Sequence, residues 1–352
     1  MKGSKIKVLI VDDSYFMRKI LTDILSKDPR IEVMGTAEDG IEAIAKIEAL
    51  NPDVVTMDIN MPKLDGKQAI KKIMARHPVP VIVISAYTSK DAPLTLDCLE
   101  LGAIDVVEKA SGEISFDLDD STAEIIEKIV AASKSNIAMQ KSIPEMENGI
   151  KDFVKKLSKS NNKVVVIGAS TGGPSTIEMI ISSLDGDLKT PIVIAQHMPY
   201  VFIKNFAERL NGKYRIKVKE AMPSEKLEEG YIYICGAESD CNTLIKEKDD
   251  HLVFSCVKNT SPGKHLSPSV DELFVSAAKA VGEGLLGIVL TGMGDDGKKG
   301  VVEIKKHGGM VIAQDEESSL IYGMPDEAVK SGSVDIQLNP IEIAQVINKF
   351  GA

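Results

Sequence analysis

The sequence predicts an α/β protein made of two doubly wound domains. Three observations carry that expectation: short β-branched runs alternate with segments of helical period through residues 6–109, the alternation restarts at Lys163, and 352 residues exceed one domain of about 100–200 residues. Such alternation builds a parallel sheet, because each return to the same edge needs a crossover that a helix supplies.

Lys7–Val11, Val33–Gly35, Val54–Met57, Val81–Ser85 and Asp105–Val107 are the expected strands of the first domain. Ser121-Thr122-Ala123-Glu124 has the form of a capping box, and Ile125, Ile126, Ile129 and Val130 follow at helical spacing, so a closing helix is expected there. The first domain is then residues 1–133. Residues 134–160 turn to Ser, Lys, Asn, Gln and Glu with Pro144, although Ile150, Phe153, Val154 and Leu157 make one helical stripe. They read as a linker carrying a short amphipathic helix. The second domain, 161–352, opens on the apolar run Lys163–Ile167 and offers further strands at Pro191–Ala195, Tyr231–Ile234, Leu252–Ser255, Leu286–Leu290, Met310–Ala313 and Val334–Ile336. Around 215–258 the strands crowd together, which leaves room for antiparallel pairing in an otherwise mostly parallel sheet. There is no internal repeat.

A formal charge of −10 opposes nucleic acid and anionic lipid, and no basic patch overrides it. A transcription factor would need a basic recognition helix, which is missing. Cys98, Cys235, Cys241 and Cys256 have no CxxC spacing and are expected as reduced thiols. The apolar run Val8–Val11 is too short for a signal peptide or membrane span, so a cytoplasmic protein without membrane insertion is expected.

Asp12 and Asp13 follow the first strand and Asp58 ends the third. Strand C-termini of an open parallel sheet gather at one edge, so three carboxylates should meet there. Crowded carboxylates repel unless a hard cation joins them, and Mg²⁺ suits oxygen ligands of this kind. Ser85 and Lys109 add a hydroxyl and a cation to the same rim. These are the parts needed to stabilise a phosphoryl group on a carboxylate nucleophile. Singly, each aspartate could be a turn or cap residue; five positions in register argue otherwise.

Residues 5–133 resemble response-regulator receivers, through Val-Asp12-Asp13-Ser, Met-Asp58-Ile-Asn-Met-Pro62, Asp65-Gly66, Ser85-Ala86 and Lys109. The resemblance implies a flavodoxin-like fold and phosphorylation of Asp58 by a histidine kinase. It also implies Mg²⁺ held by Asp12 or Asp13 together with Asp58, and phosphoryl contacts from Ser85 and Lys109. Two positions depart from the pattern: Val106 stands where receivers carry an aromatic switch residue, and Ala110 replaces the proline of a Lys-Pro pair.

In the second domain, Gly168-Ala169-Ser170-Thr171-Gly172 follows a strand and precedes a helical pattern from Ser175. This is the form of a nucleophile elbow, and alone it is a weak signal. A phosphate-cradling glycine loop would need an acidic residue ending the next strand. That strand instead ends in Gln196-His197-Met198-Pro199, and no Gly-Lys-Ser/Thr occurs anywhere. A third strand ends in Thr291-Gly292-Met293-Gly294-Asp295-Asp296-Gly297. Serine, histidine and aspartate at three strand ends give the geometry of an activated nucleophile. The order Ser, His, Asp differs from that of α/β-hydrolases.

Residues 163–350 resemble the catalytic domain of chemotaxis protein-glutamate methylesterases, through Gly-Ala-Ser170-Thr-Gly-Gly, Gln-His197-Met-Pro, Leu-Thr-Gly-Met293-Gly-Asp-Asp296-Gly and Tyr322-Gly-Met-Pro. The resemblance implies Ser170 as nucleophile, His197 as base and Asp296, rather than Asp295, as orienting acid. Backbone amides near Thr171 and Met293 are the candidate oxyanion donors. The implied reaction is hydrolysis of glutamate γ-methyl esters on methyl-accepting chemotaxis receptors, with glutamine deamidation by the same triad and no cofactor in the hydrolase.

Overall fold

The computed structural model describes residues 4–85, 91–109, 118–135, 148–157, 160, 162–236, 241–258 and 268–351. The chain divides into two compact units, Met1–Ala138 and Met139–Ala352.

In the first unit, β1 (Ile6–Val11), β2 (Ile31–Ala37), β3 (Val54–Asp58), β4 (Val81–Ser85) and β5 (Asp105–Glu108) alternate with α1 (Tyr15–Leu25), α2 (Gly40–Leu50), α3 (Gly66–Arg76), α4 (Ala92–Glu100) and α5 (Leu118–Ala132). The strands pair in parallel in the order β2-β1-β3-β4-β5. Helices covering both faces leave β3 and β4 wholly buried, which is why both read as unbroken runs rather than alternating ones. Ser14, Asp39 and Asp65 cap α1, α2 and α3 by accepting amide bonds at the helix N-termini. The chain reverses sheet direction at β1, so the β1/β3 boundary opens the crevice where such sheets bind ligands. The closing helix starts at Leu118, so Ser121 lies inside it and the predicted capping box is not its start. Ala110 lies outside the described residues.

The second unit opens with α6 (Asn148–Lys156), which packs against the last helix and buries Phe153 of the predicted stripe. β6 (Val164–Ala169), α7 (Gly173–Ser182), β7 (Ile192–Gln196), α8 (Tyr200–Lys213), β8 (Lys217–Glu220), β9 (Tyr231–Ile234), β10 (Cys241–Lys248) and β11 (His251–Lys258) follow. Then come α9 (Val270–Val281), β12 (Leu285–Val289), α10 (Lys298–Lys306), β13 (Met310–Gln314), α11 (Met324–Lys330), β14 (Ile336–Leu338) and α12 (Pro340–Phe350). Seven strands form one sheet in the order β14-β13-β12-β6-β7-β9-β8, every pairing parallel.

Two expectations need correction here, and two strands were not foreseen. The antiparallel pairing expected around 215–258 is present, but as the separate hairpin β10–β11 with an isolated bridge from Lys226 to Val253, and among the described residues it does not enter the main sheet. The hairpin's two-residue turn sets Asp249 and Asp250 at φ 51° and 60°, a conformation that Asn-Gly would have advertised and Asp-Asp does not. Edge strand β8 and hairpin strand β10, both lysine-bearing, escaped the apolar pattern altogether. Finally, Cys256 is disulfide-bonded rather than reduced. Cys98 and Cys235 are free and buried, and burial pushes both thiols up to about 12.

Candidate functional site

The pocket of the first unit forms where β1 and β3 end. Asp12 and Asp58 are buried, Asp13 is exposed, and one carboxylate oxygen of each lies within 4.8 Å of the others. Lys109 Nζ bridges Asp12 Oδ2 at 2.8 Å and Asp58 Oδ2 at 2.9 Å. The remaining oxygens accept backbone amides, Asp12 Oδ1 from Ser14 and Asp58 Oδ1 from Ile59. Burial pushes the Asp58 carboxyl above its ordinary value, against the opposing Lys109 bond. Three carboxylates answered by a single lysine leave an excess of negative charge on oxygen donors, so this cluster fits a hard divalent cation. Ser85 ends β4, and its hydroxyl accepts from Thr95 at 3.2 Å. Val106 is buried on β5, and its carbonyl accepts from Lys128 Nζ at 2.7 Å.

In the second unit the three predicted residues follow neighbouring strands. Ser170 comes directly after β6, His197 directly after β7, and Asp296 lies in the loop after β12. Sheet order runs outward from β6 in both directions, so Ser170 and Asp296 flank the switch point between β6 and β12. Backbone bonds lock this edge: Ser170 N donates to Thr291 O at 3.1 Å, and His197 N to Ala169 O at 2.9 Å. Gly172 takes φ +78° to begin α7, where a side chain would also strike Leu320.

Gly292 admits no side chain either, since a Cβ there would lie 2.4 Å from Met324 Sδ and 2.7 Å from Ser170 Cβ. Gly292→Ala is therefore expected to destabilise the fold by about 1–3 kcal/mol through overpacking and to displace Ser170. Chemical denaturation together with ester hydrolysis tests this; an alanine variant of unchanged stability and rate would contradict the stated contact.

His197 Nε2 lies 2.8 Å from Asp296 Oδ2. Asp296 Oδ2 also accepts from Val270 N at 2.8 Å, while Oδ1 accepts from Asp271 N at 2.8 Å and Ser269 Oγ at 3.3 Å. Burial works against the charge on Asp296, but the His197 contact and these amides outweigh it and hold the carboxyl below the usual carboxylate range. An ionised acceptor fixes the proton on Nε2 and leaves the lone pair on Nδ1. Nδ1 is buried without a hydrogen-bond partner, and Ser170 Oγ is unbonded among the described residues. Nucleophile–base bonds in substrate-free hydrolases are often long and close on binding. Asp295 is exposed, and its carboxylate makes no hydrogen bond to this network among the described residues. Thr171 O accepts from Thr291 Oγ1 at 3.1 Å, and the Met293 amide has no acceptor among the described residues.

Sequence reasoning missed the residues that hold these. Gln196 Nε2 donates to the carbonyls of Ser170 and His197, both at 2.9 Å, and so ties nucleophile loop to base loop. Ser269 and Asp271 begin α9; the spacing Ser269-x-x-Glu272, a capping signal, was the available clue to that helix start.

Comparison with known proteins agrees with this architecture. Residues 165–347 match the CheB methylesterase family and residues 8–116 the response regulator receiver domain. A protein-glutamate methylesterase/protein-glutamine glutaminase of Pyrococcus horikoshii is 41% identical, covering 99% of this chain and 94% of its own. One of the same kind from Carboxydothermus hydrogenoformans is 42% identical over 98% of both chains. The crystal structure of the Thermotoga maritima CheB methylesterase catalytic domain is similar at 36% identity and a TM-score of 0.50, covering 53% of this chain and 98% of that one. With 52% of its length inside the methylesterase match, the receiver domain in front, and relatives alike from end to end, the chain belongs to the CheB methylesterase family.

Proposed function

We propose that this protein hydrolyses glutamate γ-methyl esters on methyl-accepting chemotaxis receptors when its receiver is phosphorylated by a histidine kinase, and deamidates receptor glutamines by the same route. Residues 1–133 act as receiver, 134–160 as linker and 161–352 as catalytic domain. The observation that carries the reading is the His197 Nε2–Asp296 contact at 2.8 Å with Nδ1 left unpartnered. Ser170 Oγ attacks the ester carbonyl carbon, and His197 Nδ1 takes its proton. The tetrahedral intermediate collapses, methanol leaves with that proton, and a water repeats the cycle on the acyl-serine to free the carboxylate. Asp296 stays ionised and steadies the imidazolium. The amides of Thr171 and Met293 receive the oxyanion.

In the receiver, Asp58 is the phosphoryl acceptor, and Ser85 and Lys109 bind the transferred group. Asp12, Asp13 and Asp58 would hold Mg²⁺, which when bound would offset charge on the phosphoryl oxygens. No described helix is long and apolar enough to cross a membrane, and the proposed compartment is the cytoplasm.

Methanol release from methylated receptor membranes, with and without acetyl phosphate, tests the function. The rate is expected to rise about 5–150-fold with phosphodonor, the usual span of a coupling between sites. Removing residues 1–145 is expected to give a similar gain that phosphodonor no longer changes. A truncated, folded enzyme no faster than the unphosphorylated chain would exclude inhibition by the receiver; absence of methanol under all conditions would sink the function itself.

A further inference from the structure

The loop that carries Asp296 is rich in glycine. It follows β12, passes through Gly294 at φ +90° and Gly297 at φ +101°, and enters α10 with a glycine at the N-cap, which has no side chain to accept the helix's first amides. Those amides find an acceptor on another helix. Asp271, in the first turn of α9, accepts with a single oxygen, Oδ1, from Gly297 N at 3.0 Å and Gly300 N at 2.8 Å. In return the backbone amide of Asp271 donates to Asp296 Oδ1 at 2.8 Å. Each carboxylate thus caps the helix that the other one belongs to or precedes. The two helices approach closely enough for this because position 300 is glycine; a Cβ there would sit 2.5 Å from Phe274 Cβ.

We infer that Asp271 is a positioning residue for Asp296, a reading that rests on the Ser170–His197–Asp296 triad proposed above. Asp271 touches neither His197 nor Ser170 through any hydrogen bond among the described residues; it acts by fixing the backbone on either side of the triad acid. The geometry calls for an acceptor oxygen at one point rather than for a charge. Burial and the neighbouring Asp296 charge in fact push the Asp271 carboxyl upward, opposed by the Gly300 amide. An ordinary helix cap would affect stability alone. A clasp on the triad acid should affect turnover, because a misplacement of about 1 Å in a catalytic group costs on the order of 10²-fold in rate.

The test is steady-state ester hydrolysis by the full-length phosphorylated protein, alongside the downfield imidazole N–H resonance of His197 in histidine-labelled samples. Asp271→Ala is expected to lower kcat about 10–100-fold with KM unchanged, and to shift or broaden that resonance. Asp271→Asn, whose amide oxygen can accept the same two bonds, should restore kcat to within about fivefold and restore the resonance. Asp271→Glu keeps the charge but overreaches by a methylene, so it should resemble alanine. Combined with Asp296→Asn, Asp271→Ala should add nothing, since it works through Asp296. If the alanine variant does not fold, the asparagine and glutamate variants still decide: an impaired Asp271→Asn, or a wild-type Asp271→Glu, overturns the inference. So does a folded Asp271→Ala with unchanged kcat. Full activity in Ser170→Ala would instead show that the triad reading itself had failed, whatever Asp271 does.

Discussion

Ser170→Ala and His197→Ala are each expected to lower ester hydrolysis by at least about 10³-fold, as in other serine hydrolase triads. The double variant should be hardly slower than either single one, since base and nucleophile act as one unit. The physical ground is the network at the sheet edge. The His197 side chain is 5% exposed, its Nε2 is committed to Asp296, and its Nδ1 has no hydrogen-bond partner, so removing His197 leaves Ser170 without a base and removing Ser170 leaves His197 with no nucleophile to activate. Asp296→Asn should be nearly as severe, because an amide in place of the ionised carboxylate no longer fixes the imidazole tautomer. Asp295→Asn should be mild, because Asp295 is exposed and its carbonyl, not its carboxylate, makes the bond to Lys298 N. Methanol release rates of the four variants and the double one check this. Losses that multiply in the double variant, or a reversed ranking of the two aspartates, would dissolve the triad as drawn.

Asp58→Asn is expected to abolish stoichiometric phosphorylation from either acetyl phosphate or a kinase, and with it the activation by phosphodonor. Asp58 is the one buried carboxylate that ends a central strand while keeping Lys109 Nζ at 2.9 Å, so the charge that would steady a phosphoryl group is already in place. An asparagine there removes the nucleophilic oxygen. Removing divalent cations should have the same effect on the wild type, since Asp12 and Asp13 would then face the incoming anion unscreened. Incorporation of radiolabelled phosphate measures both. Full labelling of the Asp58→Asn protein would move the acceptor to another residue.

Much of this protein was legible before any coordinates. The two parallel sheets follow from buried strands that read as unbroken apolar runs, such as Val54-Val55-Thr56-Met57 and Val164–Ile167, each followed by a helix-period segment. The candidate residues were legible too, because a parallel sheet sends every strand's carboxyl end to one edge; a polar residue just after a strand declares its own location. Strands β8 and β10 were not legible, since an edge strand and a hairpin strand need not be apolar, and the I′ turn at Asp249-Asp250 lacked the usual glycine.

What the sequence determined by itself was therefore the order of strands and helices and the side chains at their ends. Only the tertiary structure decided which nitrogen of His197 faces Asp296, that Gln196 ties the Ser170 and His197 loops together, and that Asp271 and Asp296 cap each other's helices from positions 25 residues apart. Those facts rest on hydrogen bonds between loops distant in sequence. Local propensity fixes where a helix begins, but the acceptor that completes its first turn can come from any element that packing brings near, and no pattern along the chain records it.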